Sequence, residues 1–117
     1  MGRTLQELTI KDNFMFCTVM SDAENCRGFL EMILQFPIGK ISVIEEKTFL
    51  YHPEYKSVRL DVYAKDDINT RYDVEMQIVK REALGKRARY YHSHIDMNLL
   101  RRGVKYQDLP NAYVIFV

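Results

Sequence analysis

Polar and apolar residues alternate with period two over residues 57–64 and again over 71–78, which predicts two neighbouring β-strands. In the first, Val58, Leu60, Val62 and Ala64 fall on one side, and Arg59, Asp61 and Tyr63 on the other. In the second, Tyr72, Val74, Met76 and Ile78 form the apolar side, so Asp73, Glu75 and Gln77 point the opposite way. A three-residue loop of Asp67, Ile68 and Asn69, with Asn69 in the left-handed conformation, joins the two as a hairpin. That loop sets Val62 opposite Val74 and Asp61 opposite Glu75, the register that gathers both apolar sets on one buried face.

The flanking segments change period. Lys11 to Met20 is compatible with a helix, and Ser21-Asp22 ends it and caps the next. From Ala23 to Gln35, apolar residues recur at Cys26, Phe29, Leu30, Ile33 and Leu34, the spacing of a helix with one buried face. Phe36-Pro37-Ile38-Gly39 breaks it, a strand over 41–50 follows, and His52-Pro53-Glu54 turns the chain into the hairpin. A longer helix is expected over 81–101, with Leu84, Ala88, Tyr91, Ile95 and Leu99 on its inner stripe and Gly103 as its stop. Gly85 within it costs about 1 kcal/mol relative to alanine. Ala112 to Val117 reads as a buried strand. The order ααβββαβ predicts a mixed α/β domain, an antiparallel meander followed by a helical crossover to a further strand. Residues 1–117 are expected to form a single domain, trimmed at its C-terminus because the chain stops inside a core strand.

Composition narrows the picture less than distribution does. With 17 basic and 16 acidic residues the net charge is +1, so the global balance names no polyanionic partner. Locally, Lys80, Arg81, Lys86, Arg87 and Arg89 stand against Glu82, and Arg101, Arg102 and Lys105 follow. This makes a positive patch directly after the acidic hairpin, although such a run is usually a solvated helix face. Cys17 and Cys26 lack metal-ligand spacing and make no disulfide framework, as expected of thiols in a reducing compartment. The N-terminus has no cationic leader, and no run approaches 18 apolar residues. A cytoplasmic protein without a membrane partner is therefore expected.

The hairpin register brings two carboxylates face to face. Charges about 5 Å apart repel by roughly 3 kcal/mol at an effective dielectric of about 20, and like charges directly opposite destabilise a strand pair. A divalent cation would remove the repulsion, and hard oxygen ligands suit Mg²⁺, which one or two carboxylates hold together with phosphate and water. In an arbitrary hairpin, Asp61 and Glu75 would more often be solvated strand residues. His92 and His94, two apart on a helix, face different ways and make poor joint ligands.

A series of local motifs gives the carboxylates company: Lys11-Asp12-Asn13-Phe14-Met15-Phe16, Asp22-Ala23-Glu24-Asn25, Lys56 with Arg59-Leu60-Asp61-Val62, Val74-Glu75-Met76-Gln77, Arg87-Ala88-Arg89-Tyr90-Tyr91, and Gly103-Val104-Lys105-Tyr106-Gln107-Asp108-Leu109-Pro110. In these residues and their order the chain resembles the PD-(D/E)XK nuclease superfamily, and more closely its transposase-like branch, the recombination-promoting nucleases. The resemblance implies a restriction-endonuclease-like core and metal-dependent endonucleolytic cleavage of DNA, with Mg²⁺ as cofactor and Mn²⁺ able to substitute. It implies that Asp61 and Glu75, with the backbone carbonyl of Met76, hold the metal. Gln77, standing where the superfamily has lysine, would join Asp61 and Glu75 in catalysis, but a neutral amide adds no positive charge. Lys56, Arg87 and Arg89 would contact nucleic acid, with Asp12 and Tyr91 as auxiliaries. DNA is the implied partner, with a homodimer as the assembly considered. The alternative is a domain that keeps the nuclease fold and binds nucleic acid or protein without cleaving.

Overall fold

In the computed structural model, which describes residues 14–45, 48–49, 58–76 and 83–117, the hairpin forms in the expected register. Strands β4 (Val62–Lys65) and β5 (Arg71–Glu75) run antiparallel, with Val62 opposite Val74 and Ala64 opposite Tyr72. Asp66 and Thr70 close the loop through a backbone hydrogen bond of 3.1 Å, and Asn69 takes φ 72°. The Asp66 carboxylate accepts from the amides of Ile68 and Thr70 and from the Tyr72 hydroxyl, so one side chain holds the whole turn.

The remaining elements build outward from this pair. Helix α1 covers residues 14–20 and α2 covers Ala23–Leu34. The expected start of α1, residues 11–13, lies outside the described residues. Asp22 caps α2 by accepting from the amides of Glu24 and Asn25, each at 3.0 Å, as its sequence position predicts. Strands β1 (Ser42–Val43), β2 (Thr48–Phe49) and β3 (Val58–Arg59) are short. Helix α3 (Leu84–Arg101) then crosses to β6 (Ala112–Phe116), which lies parallel to β5. The main sheet has the order β1-β4-β5-β6, while β2 and β3 form a second two-stranded sheet.

At the end of α3, Gly103 stands at φ 98°, a conformation that suits glycine. The amides of Gly103 and Val104 donate to the carbonyls of Leu100 and Leu99, which closes the helix as its sequence predicts. At its start, Ala83 takes a left-handed conformation and the helix begins at Leu84. Residues 81 and 82 lie outside the described residues. Leu84, expected on the inner stripe, is exposed, whereas Ile95 and Leu99 are buried.

Two further expectations are corrected. The strand expected over 41–50 is two segments, and the first strand of the hairpin is likewise divided into β3 and β4. β1 pairs antiparallel with β4 and β2 with β3 in a single running register, interrupted where Leu60 and Asp61 leave the ladder. At that interruption Leu60 abandons the side it was expected to share with Val62. It packs instead with Tyr63, Ile95 and Leu99. The sheet is flanked by helices, as a central sheet of this fold class is expected to be, and is covered on both faces: every residue of β5 is buried. Met20 of α1 and Cys26 and Leu30 of α2 lie against Val62, Ala64, Tyr72 and Val74 on one face, and α3 lies against Leu60 and Tyr63 on the other. Each fully buried aliphatic side chain in these two layers contributes about 1.5–3 kcal/mol. Tyr63, Asp73 and Glu75, on the polar side of the hairpin, therefore lie in a protein interior.

Candidate active site

The break at Leu60–Asp61 is where the candidate site forms, because side chains there replace the backbone ladder. The Asp61 amide donates to Glu75 Oε2 at 2.9 Å, and the Met76 amide donates to Asp61 Oδ2 at 3.0 Å. Each carboxylate thus accepts from the backbone of the opposite segment, and the two acids meet at one end of the β4–β5 pair as their register predicts. From α1, the Cys17 thiol lies 3.9 Å from the Asp61 carbonyl, to which it donates. The Glu75 carbonyl faces the other neighbouring strand and accepts from the Val117 amide.

A third carboxylate lies with them that sequence reasoning did not single out. Asp73 has no solvent exposure, and among the described residues no amide, hydroxyl or basic group donates to either of its oxygens. Burial drives its carboxyl far above the usual range, and the neighbouring Glu75 and Asp61 push it further the same way. Glu75 is also raised, mainly by burial, while the Asp73 carboxyl, the Asp61 amide and Arg87 pull it back. Two adjacent buried carboxylates cannot both stay ionised, so the pair holds a proton, with Asp73 its natural carrier and donor to Glu75. The signal was in the sequence: Asp73 shares the parity of Glu75 two residues on. What the alternation did not convey was that α3 closes over that side.

Arg87, on the first turn of α3, brings positive charge to the same end. Its guanidinium lies over the rings of Tyr91 and Phe116, 5.7 and 5.4 Å from their centroids, and donates to the Tyr91 hydroxyl at 3.1 Å. Phe116 is the β6 partner of Glu75, which is why the stacked arginine acts on that carboxylate. Tyr91 packs against the inner cluster through its ring. Lys86 and Arg89, one and two residues from Arg87 in the chain, are exposed. Gln77, Lys56 and Asp12 lie outside the described residues, as do Lys80 and Arg81.

Asp61 and Glu75, brought to one end of the sheet, offer the hard oxygen donors that suit a divalent cation. Their arrangement is not that of a closed cage. Among the described residues no three His, Cys, Asp or Glu side chains are placed to surround an ion. Sites of the Mg²⁺ type complete their shell with water and substrate oxygens, so a sparse protein contribution is in keeping with such an ion. No helix among the described residues is long and apolar enough to cross a membrane.

The chain matches no curated protein and no solved structure. A family model does match it: that of the PD-(D/E)XK nuclease family transposases, over residues 11–117. With an α/β core that carries an acid at the hairpin break and another at the end of the adjoining strand, this chain belongs to the PD-(D/E)XK nuclease family transposases.

Proposed function

We propose that the protein is a divalent-metal-dependent endonuclease that hydrolyses DNA phosphodiester bonds, with Asp61 and Glu75 as its metal ligands. The observation that carries this reading is the crossed pair of hydrogen bonds in which Glu75 accepts from the Asp61 amide and Asp61 accepts from the Met76 amide, which holds the two acids at the same end of the sheet. A structural pair of solvated acids would have no reason to be held in this way against its own repulsion. Asp61, Glu75 and the Met76 carbonyl would hold Mg²⁺, or Mn²⁺ in its place. When bound, such an ion polarises a phosphate oxygen and acidifies a water.

The chain's own groups supply the rest. In the net reaction a water oxygen bonds to phosphorus, one ester P–O bond breaks, and the departing sugar oxygen leaves with a proton. Arg87, held by Tyr91 and Phe116, offers positive charge to a phosphate at Glu75 and replaces the charge that Gln77 lacks. Gln77 would orient a water or phosphate oxygen through its amide. Asp73, carrying the shared proton, keeps Glu75 in place by donating to it.

Cleavage of supercoiled plasmid with Mg²⁺ or Mn²⁺ tests the reading. Wild-type protein should nick it and Asp61→Ala should not. Equal nicking by both would remove the metal site, and DNA binding without nicking by the wild type would favour the non-cleaving alternative.

Arg87→Ala should weaken DNA binding and flatten its salt dependence by about 0.9 in log K per log salt, the loss of one phosphate contact. Fluorescence anisotropy between low and moderate salt measures the slope. An unchanged slope in a protein with intact circular dichroism would return Arg87 to a packing role.

A further inference from the structure

At the opposite end of the same face, the basic counterpart of the acid site is found. Lys65 and Arg71 stand directly opposite each other where β4 and β5 meet the turn. Like charges in that relation destabilise a strand pair unless something of opposite sign lies between them. Arg71 is 9% exposed, and its Nε is buried without a hydrogen-bond partner. Among the described residues no carboxylate forms an ion pair with it, nor does Asp96 of the overlying helix form one with any residue. A buried guanidinium nitrogen left without an acceptor is costly, and an anion would relieve the cost.

The space above them is open. Lys65, Arg71 and Tyr63 from the strands, with Asn98 and Arg102 from the end of α3, line a pocket of about 270 Å³. At ~30 Å³ per water, this holds a tetrahedral oxyanion with several waters. The carbonyls of the last turn of α3 would repel an anion if left bare, but those of Asn98, Leu99 and Leu100 accept from the amides of Arg102, Gly103 and Val104. The polar part of the pocket wall therefore presents three cations, an amide and the Tyr63 side chain, beside apolar Ile44, Leu99 and Val104. It is a separate place from the acid site: Arg71 and Glu75 are the two ends of β5, roughly 13 Å apart at the rise of a strand.

We propose that this pocket is a phosphate-type oxyanion site, with Arg71 as its buried fork and Lys65 and Arg102 as its outer donors. Two sources share that chemistry, a free phosphate and a backbone phosphate of DNA. The proposal is independent of the nuclease reading, because it involves neither the metal nor cleavage.

The test is a titration of the wild-type chain with sodium phosphate in EDTA, with ionic strength held constant by sodium chloride and binding followed by thermal shift and ³¹P line broadening. Saturable binding is expected. Lys65→Gln should weaken it about tenfold, as loss of one charge-assisted donor does. Arg71→Lys keeps the charge and removes the fork, and should weaken it similarly. Absence of saturable binding, or a Lys65→Gln protein that titrates like the wild type, would overturn the site. Because Lys65 is exposed, its variant remains informative even where Arg71→Lys fails to fold. Adding short single-stranded DNA to the phosphate-loaded protein identifies the source. Displacement assigns a DNA backbone phosphate, retention assigns a free phosphate, and either result upholds the oxyanion site.

Discussion

Glu75→Gln is expected to lower plasmid cleavage by at least about a thousandfold while leaving the protein folded. The glutamine oxygen can still accept from the Asp61 amide, as Glu75 Oε2 does at 2.9 Å, so the break at Leu60–Asp61 keeps its support. Its amide hydrogens face Asp73, whose oxygens have no other donor among the described residues. What the substitution removes is charge. A site with Asp61 alone would hold a hard divalent cation poorly, because carboxylate charge is the main protein contribution in so sparse a shell. Isothermal titration with Mn²⁺ should therefore show weakened binding in parallel with lost cleavage. Wild-type cleavage by Glu75→Gln would sink the proposed role of this residue. Lost cleavage with unchanged Mn²⁺ binding would move Glu75 from holding the ion to handling a proton.

Asp73→Asn should stabilise the metal-free protein, and increasingly so as the pH rises. The folded chain holds the Asp73 carboxyl protonated far above its usual range because it is buried against Glu75 and Asp61. The unfolded chain releases that proton near pH 4. Above this pH the unfolded state gains by ionising and the folded state does not, so wild-type stability falls by up to about 1.4 kcal/mol per pH unit for this group. The decline ends when the pH reaches the raised folded value. Asparagine is neutral at every pH and donates to Glu75 as the protonated acid does, so the variant escapes the decline. The gain should be on the order of 2–4 kcal/mol at neutral pH and should vanish near pH 4. Urea unfolding in EDTA across this range measures it. A gain independent of pH would mean that Asp73 is ionised in the folded protein.

Burial of Asp73 and Glu75 explains a tension in the fold. A sheet covered on both faces is best filled with apolar side chains, yet β5 reads Arg71-Tyr72-Asp73-Val74-Glu75, charged at every second position. The residues facing α1 and α2, Tyr72 and Val74, obey the rule. Those facing α3 break it, acidic at one end and basic at the other, and each end has its own proposed ligand. Local rules are most often violated where function requires it, and here the violations lie on a single face of a single strand.

Much of this protein is determined by its sequence alone. Alternation over 57–64 and 71–78, together with a turn at Asn69, was enough to set Val62 opposite Val74 and to bring Asp61 to Glu75. A shift by one residue would have turned every apolar side chain to the wrong face. Asp22 and Gly103 marked helix ends because their chemistry acts on backbone groups a few residues away. Only the tertiary structure decided what covers the second face of the sheet. A period of two states which residues share a side, but whether that side meets water or a helix depends on α3, which reaches it through a crossover. Hence the burial of Asp73, its retained proton, and the pocket that Arg71 lines together with Arg102 were not legible in the strand itself. The interruption at Leu60–Asp61 belongs to the same class: Leu60 leaves the alternation because Ile95 and Leu99, more than thirty residues on, offer it a buried place that local pattern does not see.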